Sequence, residues 1–145
     1  FRSAKAVNWY DEELNKDLGE VLKTQEKYYI CDHGFKQYLF HSNIRDIELV
    51  LENIICIEML RRGYDVSIGE VMRKEIDFVC RKNEECLYIQ VSYLMPDSAT
   101  REREFAPLLL IRDNYPKYVL SMDELDFSQQ GIQHKNIIDF LLAEG

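Results

Sequence analysis

The chain has 145 residues, 46% hydrophobic and 30% charged. That is the size and balance of one ordinary domain, able to bury about two-thirds of its unfolded surface. A net charge of −8 argues against a free-standing, non-specific nucleic-acid binder, whose affinity comes from clustered Lys and Arg. No apolar run approaches the roughly 18–20 residues of a membrane helix. No G-x-x-x-x-G-K-[ST] occurs, so ATP hydrolysis by this chain alone is not expected.

The cysteines, Cys31, Cys56, Cys80 and Cys86, form no C-x-x-C pair, and His33, His41 and His134 lack zinc-ligand spacing. Cys56 and Cys80 fall inside apolar patterns and read as buried free thiols, which suits a reducing cytoplasm. The start, Phe1-Arg2-Ser3, is neither an initiator Met nor a signal peptide, so the chain reads as part of something longer.

In chain order, residues 1–22 are charged and weakly patterned, and read as a helix or an ordered arm. Tyr28–Cys31 predicts a short strand and Phe35–Phe40 a short helix. Ser42 or Asn43 can cap the next helix, Ile44 to Arg62, which Gly63 stops. Its apolar set, Ile44, Ile47, Val50, Leu51, Ile54, Ile55, Ile57 and Met59, is wide enough to require burial. Three strands follow by alternation: Tyr64–Ile68, Ile76–Cys80 and Leu87–Val91, the last two joined by a hairpin at Lys82–Glu85. Pro96-Asp97-Ser98 opens a helix from Ala99 to Asp113, which Pro107 is expected to kink. Tyr118–Leu120 reads as a strand, residues 123–131 as a loop, Asn136-Ile137 as a strand and Ile138–Ala143 as a helix. The order predicts an α/β domain with a mixed sheet, because one strand pair is a hairpin.

One set of polar residues has the spacing of a metal-dependent phosphodiesterase site. Such sites hold a hard divalent cation on carboxylates, with a Lys nearby to neutralise phosphate. Glu52 lies on the long helix, Asp77 lies mid-strand, and Gln90 with Ser92 lies on the next strand, opposite Leu87, Ile89 and Val91. Asp77 is expected opposite Ile76 and Phe78. Gln90 stands where a Glu would complete the cation site, and Ser92 where a Lys would. Glu52 and Asp77 alone can offer charge, so Mg²⁺ binding is expected to be weak. Arg101 and Arg103, on the next helix, are the candidates for a displaced cation, Arg101 first. The plainer alternatives remain open: Glu52 on a solvated face with Glu48, Gln90 and Ser92 on a half-exposed strand, and Thr100–Glu104 as a solvated helix turn.

The wording of these segments resembles the C-terminal domain of a large family of prokaryotic AAA+-like ATPases, a region that looks like a PD-(D/E)XK, restriction-endonuclease-type fold. The resemblance spans residues 22–143. It is carried by Lys27-Tyr28-Tyr29 with Asp32-His33-Gly34-Phe35, Arg45–Asn53, Arg61-Arg62-Gly63-Tyr64, Lys74–Val79, Tyr88–Tyr93, Thr100–Phe105 and Tyr115–Ser121. It implies a mixed sheet flanked by helices over residues 23–145, and a junction at 1–22 to an ATPase part with a winged-helix-like segment. It also implies a module of that ATPase that docks nucleic acid or another protein and does not itself cut. In this frame Glu52, Asp77, Gln90 and Ser92 are vestigial catalytic positions. The alternative is a metal-dependent nuclease with a modified site. No membrane partner is implied.

Overall fold

A computed structural model of the chain describes residues 4–11, 26–30 and 44–143. The helix expected at Phe35–Phe40, the caps at Ser42 and Asn43, the segment 12–22 and Cys31 lie outside these residues. The described strands are β1 (Ala4–Asp11), β2 (Glu26–Ile30), β3 (Asp65–Val71), β4 (Lys74–Lys82), β5 (Glu85–Val91), β6 (Lys117–Ser121) and β7 (Gln133–Asn136). The helices are α1 (Ile44–Arg61), α2 (Ser98–Leu109) and α3 (Ile137–Leu142).

The five strands β3–β7 form a mixed sheet in sequential order: β3, β4 and β5 are antiparallel neighbours, while β5, β6 and β7 run parallel. The hairpins need only two-residue turns, whereas the parallel steps need crossovers, and α2 supplies the first of these. β1 joins the free edge of β3 in parallel and carries β2 antiparallel outside it. The chain is thus an α/β fold, as the order of its periodicities predicts. No helix among the described residues is long and apolar enough to cross a membrane.

Two apolar layers sandwich the sheet. On one face, Leu51, Ile55, Cys56 and Met59 of α1 and Ile137 and Phe140 of α3 meet Ile68, Phe78, Cys80, Ile89, Val91 and Leu120. On the other, Phe105 and Leu108 of α2 meet Ile76, Val79, Tyr88, Val119 and Ile132. The α1 stripe is narrower than its composition suggests, since Ile47 and Leu49 are exposed. Cys56, Cys80 and Cys86 are buried free thiols.

α1 stops where expected. Gly63 takes φ +90°, and the N–H groups of Gly63 and Tyr64 return to the carbonyls of Leu60 and Met59. α2 stops four residues sooner than expected. Pro107 has no N–H to continue the ladder, and Leu110 and Ile111 donate to Pro107 and Leu108 in a tightened last turn. Asp113 is drawn off to the sheet instead: it accepts from Tyr88 Oη, from Tyr115 N–H and from Lys117 Nζ, at 2.5, 3.0 and 2.9 Å. Pro107 lies inside α2, two residues before its end.

The alternation expected for Ile76–Cys80 also fails. Ser67 pairs with Val79 but Gly69 pairs with Ile76, so β4 carries one extra residue. This bulge puts Ile76 and Val79 in the α2 layer and Phe78 and Cys80 in the α1 layer. Ile76 and Phe78 therefore do not share a face, and Asp77 cannot stand opposite both. Gly69 sits at the bulge for a steric reason: a Cβ there would meet Val79 Cγ2 at 2.7 Å and Ile76 Cβ at 3.1 Å.

Candidate functional site

β4 and β5 pair from Lys82–Glu85 up to Phe78–Ile89, where their register ends. Past that point two side chains bridge the strands. Asp77 Oδ2 accepts the N–H of Val91 at 2.8 Å, and Gln90 Oε1 accepts the N–H of Asp77 at 2.7 Å. Each side chain supplies the acceptor that a continued ladder would have supplied, so the diverging strands are held by a reciprocal clasp. A buried N–H left alone there would cost about 1–3 kcal/mol.

Asp77 is half-buried, and burial is the main cause that lifts its pKa well above the usual carboxylate value. The negative charge of Glu52 on α1 pushes the same way, as do Glu104 on α2 and Glu75 on β4; the Val91 N–H pulls against them. Glu52 is half-buried on α1, and its charge acts on Asp77. Glu104 is the residue that the sequence reading left on a solvated turn. Burial raises its carboxyl too, and Glu48 adds to that, while Arg103, at 3.7 Å, lowers it. The signal was present in the spacing: Arg101, Glu104, Phe105 and Leu108 fall on one helical stripe, and Phe105 and Leu108 are core.

Gln90 and Ser92 are not on a half-exposed surface. They retain 5% and 1% of their accessibility. The Ser92 hydroxyl finds no hydrogen-bond partner. Arg101 is engaged elsewhere: its Nη1 donates to the carbonyl of Met95 at 3.2 Å, and its guanidinium lies 4.7 Å from the centre of the Phe127 ring.

The donor set suits a hard cation poorly. Mg²⁺ needs strongly anionic oxygens in near-octahedral array. Here one Asp77 oxygen and the Gln90 carbonyl are already committed to backbone N–H groups. Among the described residues, no three His, Cys, Asp or Glu side chains stand together as a metal-binding group.

No protein-family model matches the chain, and no solved structure matches it. An uncharacterized protein of Haemophilus influenzae is 38% identical over 122 residues, covering 83% of this chain and 30% of that protein. The chain is thus homologous to one part of a longer protein, spanning less than a third of its length.

Proposed function

We propose that this domain is a nuclease-like, non-catalytic module of an AAA+-type ATPase, serving to dock nucleic acid or another protein. One observation carries the reading: the two groups that would hold a catalytic cation, Asp77 and Gln90, are spent on each other's strands as a structural clasp. A nuclease needs those oxygens free to coordinate metal and polarise phosphate. The mixed sheet with helices on both faces and the placing of Glu52 near Asp77 support descent from a PD-(D/E)XK frame. The match to part of a much longer relative supports a role as one module among several.

The alternative is a metal-dependent nuclease with a modified site, which the mutual influence of Glu52, Asp77 and Glu104 favours. A cation would relieve their repulsion. The obvious repair, Gln90→Glu with Ser92→Lys, is less simple than side-chain parity suggests, because Ser92 is enclosed and a Lys there would bury its charge.

The test is a cleavage and binding assay on labelled single- and double-stranded DNA with Mg²⁺ or Mn²⁺, comparing the parent with Asp77→Asn. The docking reading expects no cleavage above background in either protein, and equal DNA affinity by fluorescence anisotropy. Cleavage by the parent that Asp77→Asn abolishes would establish the nuclease instead.

A further inference from the structure

A second polar cluster lies at the carboxyl end of β6 and the start of β7, on the face covered by α2. The clasp makes no use of it. His134, paired in register with Val119, retains 5% of its accessibility, and Ser121 retains none. The proton positions follow from the donors. A backbone N–H can only donate, and that of Phe127 donates to His134 Nδ1 at 3.1 Å. Nδ1 therefore carries no proton, and in a neutral ring the proton sits on Nε2. Nε2 lies 2.7 Å from Ser121 Oγ, which accepts from it. The Ser121 hydroxyl then donates to Asp123 Oδ2 at 2.7 Å, and the same oxygen accepts the N–H of Met95 at 2.9 Å. The backbone N–H of His134 donates to Ser128 Oγ at 2.8 Å, and that hydroxyl donates to Asp126.

This order is the reverse of a nucleophilic triad. The imidazole donates to the serine and cannot take its proton, and no substrate reaches an enclosed Ser121. The cluster instead ties three parts of the chain together: the end of β6 with β7, the 122–132 connection, and the segment from Met95 into α2. Phe127 is the tongue of the arrangement. Its ring lies 5.3 Å from the His134 ring and 4.7 Å from the Arg101 guanidinium, which also holds the Met95 carbonyl.

We propose that His134 is the catch of an acid-opened latch: its neutral ring clamps the β6–β7 connection over the start of α2, and its protonation releases Phe127 and, with it, Arg101. The physical event is an acceptor becoming a donor. A proton on Nδ1 turns that nitrogen into a donor, for which the Leu125 carbonyl is an acceptor, so the Phe127 N–H loses its own acceptor and the bond that seats Phe127 is lost. The groups facing the ring are few. Burial opposes the charged ring and wins, holding the pKa below the ordinary imidazole value, while Asp123, Asp126 and the Leu125 carbonyl of the connection favour it. From β6 the neutral Ser121 accepts in either state. From α2, Arg101 opposes a second cation across Phe127. The neighbouring Lys135 of β7 is turned away, its ammonium over the Tyr118 ring. The latch is thus closed at neutral pH. The stability it contributes declines as pH falls below about 6.5, the ordinary imidazole value.

Amide hydrogen exchange of the labelled chain, followed by NMR from about pH 7.5 to about pH 4.5, tests this in samples where the His134 ring nitrogens are also read. The expected result is that Phe127 amide protection, corrected for intrinsic rate, falls by about tenfold or more along the titration of His134. His134→Asn keeps an acceptor near the Nδ1 position and cannot titrate, so its Phe127 protection should not vary with pH. Constant Phe127 protection while the ring titrates overturns the latch, as does a ring that stays neutral throughout. Loss of protection in His134→Asn at the same pH as in the parent also overturns it, assigning the effect to Asp123 or Asp126. Should the variant fail to fold, the parent's ring titration and amide protection decide the matter alone.

Discussion

Replacing Asp77 by Asn leaves the clasp and removes its charge. The Asn carbonyl can take the place of Oδ2 and accept the Val91 N–H, now 2.8 Å from the carboxylate, while the Asp77 N–H bond to Gln90 does not involve the side chain. What disappears is a half-buried anion that Glu52, Glu104 and Glu75 repel. A buried, uncompensated ion costs several kcal/mol; a charge-assisted hydrogen bond offsets about 1–2 kcal/mol of that relative to a neutral one. Asp77→Asn should therefore stabilise the fold by about 1–3 kcal/mol at alkaline pH. The sign reverses the usual carboxylate case. The native state holds this proton more tightly than the unfolded chain, so stability falls as pH rises from about 3.9, the unfolded value, through the raised native value. The gain should vanish near pH 4, about the unfolded value, and grow as pH rises from there towards about 8. Urea unfolding by circular dichroism at both pH values measures it. A variant less stable than the parent at pH ~8, or a gain of equal size at pH ~4, would mean that the Asp77 charge is not disfavoured in the fold, and this argument would fail.

Two further substitutions probe the frame around the clasp. Gly69→Ala drives a methyl to within 2.7 Å of Val79 Cγ2 and should cost about 1–3 kcal/mol in thermal or urea unfolding; an unchanged midpoint would show that the bulge is looser than its contacts imply. Glu58 is held at about pKa 2 chiefly by its bonds to Arg61, with Arg62 adding to them, all at 2.7–2.8 Å. Its contribution is complete above the ordinary value of 4.5 and lost as pH falls towards about 2. Glu58→Gln should cost about 1 kcal/mol at neutral pH, discounted because Arg61 is exposed, and nothing near pH 2. A pH-independent difference would exclude the ion pairs as its cause.

The elements were legible where periodicity is local. The stop at Gly63, the hairpin at Lys82–Glu85 and the buried parity of Leu87, Ile89 and Val91 follow from the sequence, because each depends on near neighbours. The bulge in β4 did not follow. It depends on Gly69 in the partner strand, and one extra residue inverts the face of everything beyond it. Asp77 and Gln90 were rightly placed together, but as ligands for an absent charge; that each would accept from the other strand's backbone is a property of strand divergence, which no spacing encodes. The Ser121–His134 cluster escaped notice altogether. Its members stand 13 residues apart and meet only because β6 and β7 are parallel.

The shortest helix among the described residues has a consequence for how the chain is made. α3 has six residues, too few to persist by itself in water. Arg62 binds the carbonyls of Phe140 and Ala143, 78 and 81 positions further on, and its guanidinium covers the Phe140 ring at 4.7 Å. During synthesis from the amino end, α1 and all five strands of the central sheet emerge before these partners do. Until then Arg62 has no carbonyls of α3 to bind, and the layer around Phe78, Cys80 and Leu120 lacks Ile137 and Phe140. A nascent chain stalled short of Ile137 thus displays an open apolar face of the kind that chaperones hold and that aggregates otherwise. α3 therefore serves as the late seal on this apolar layer.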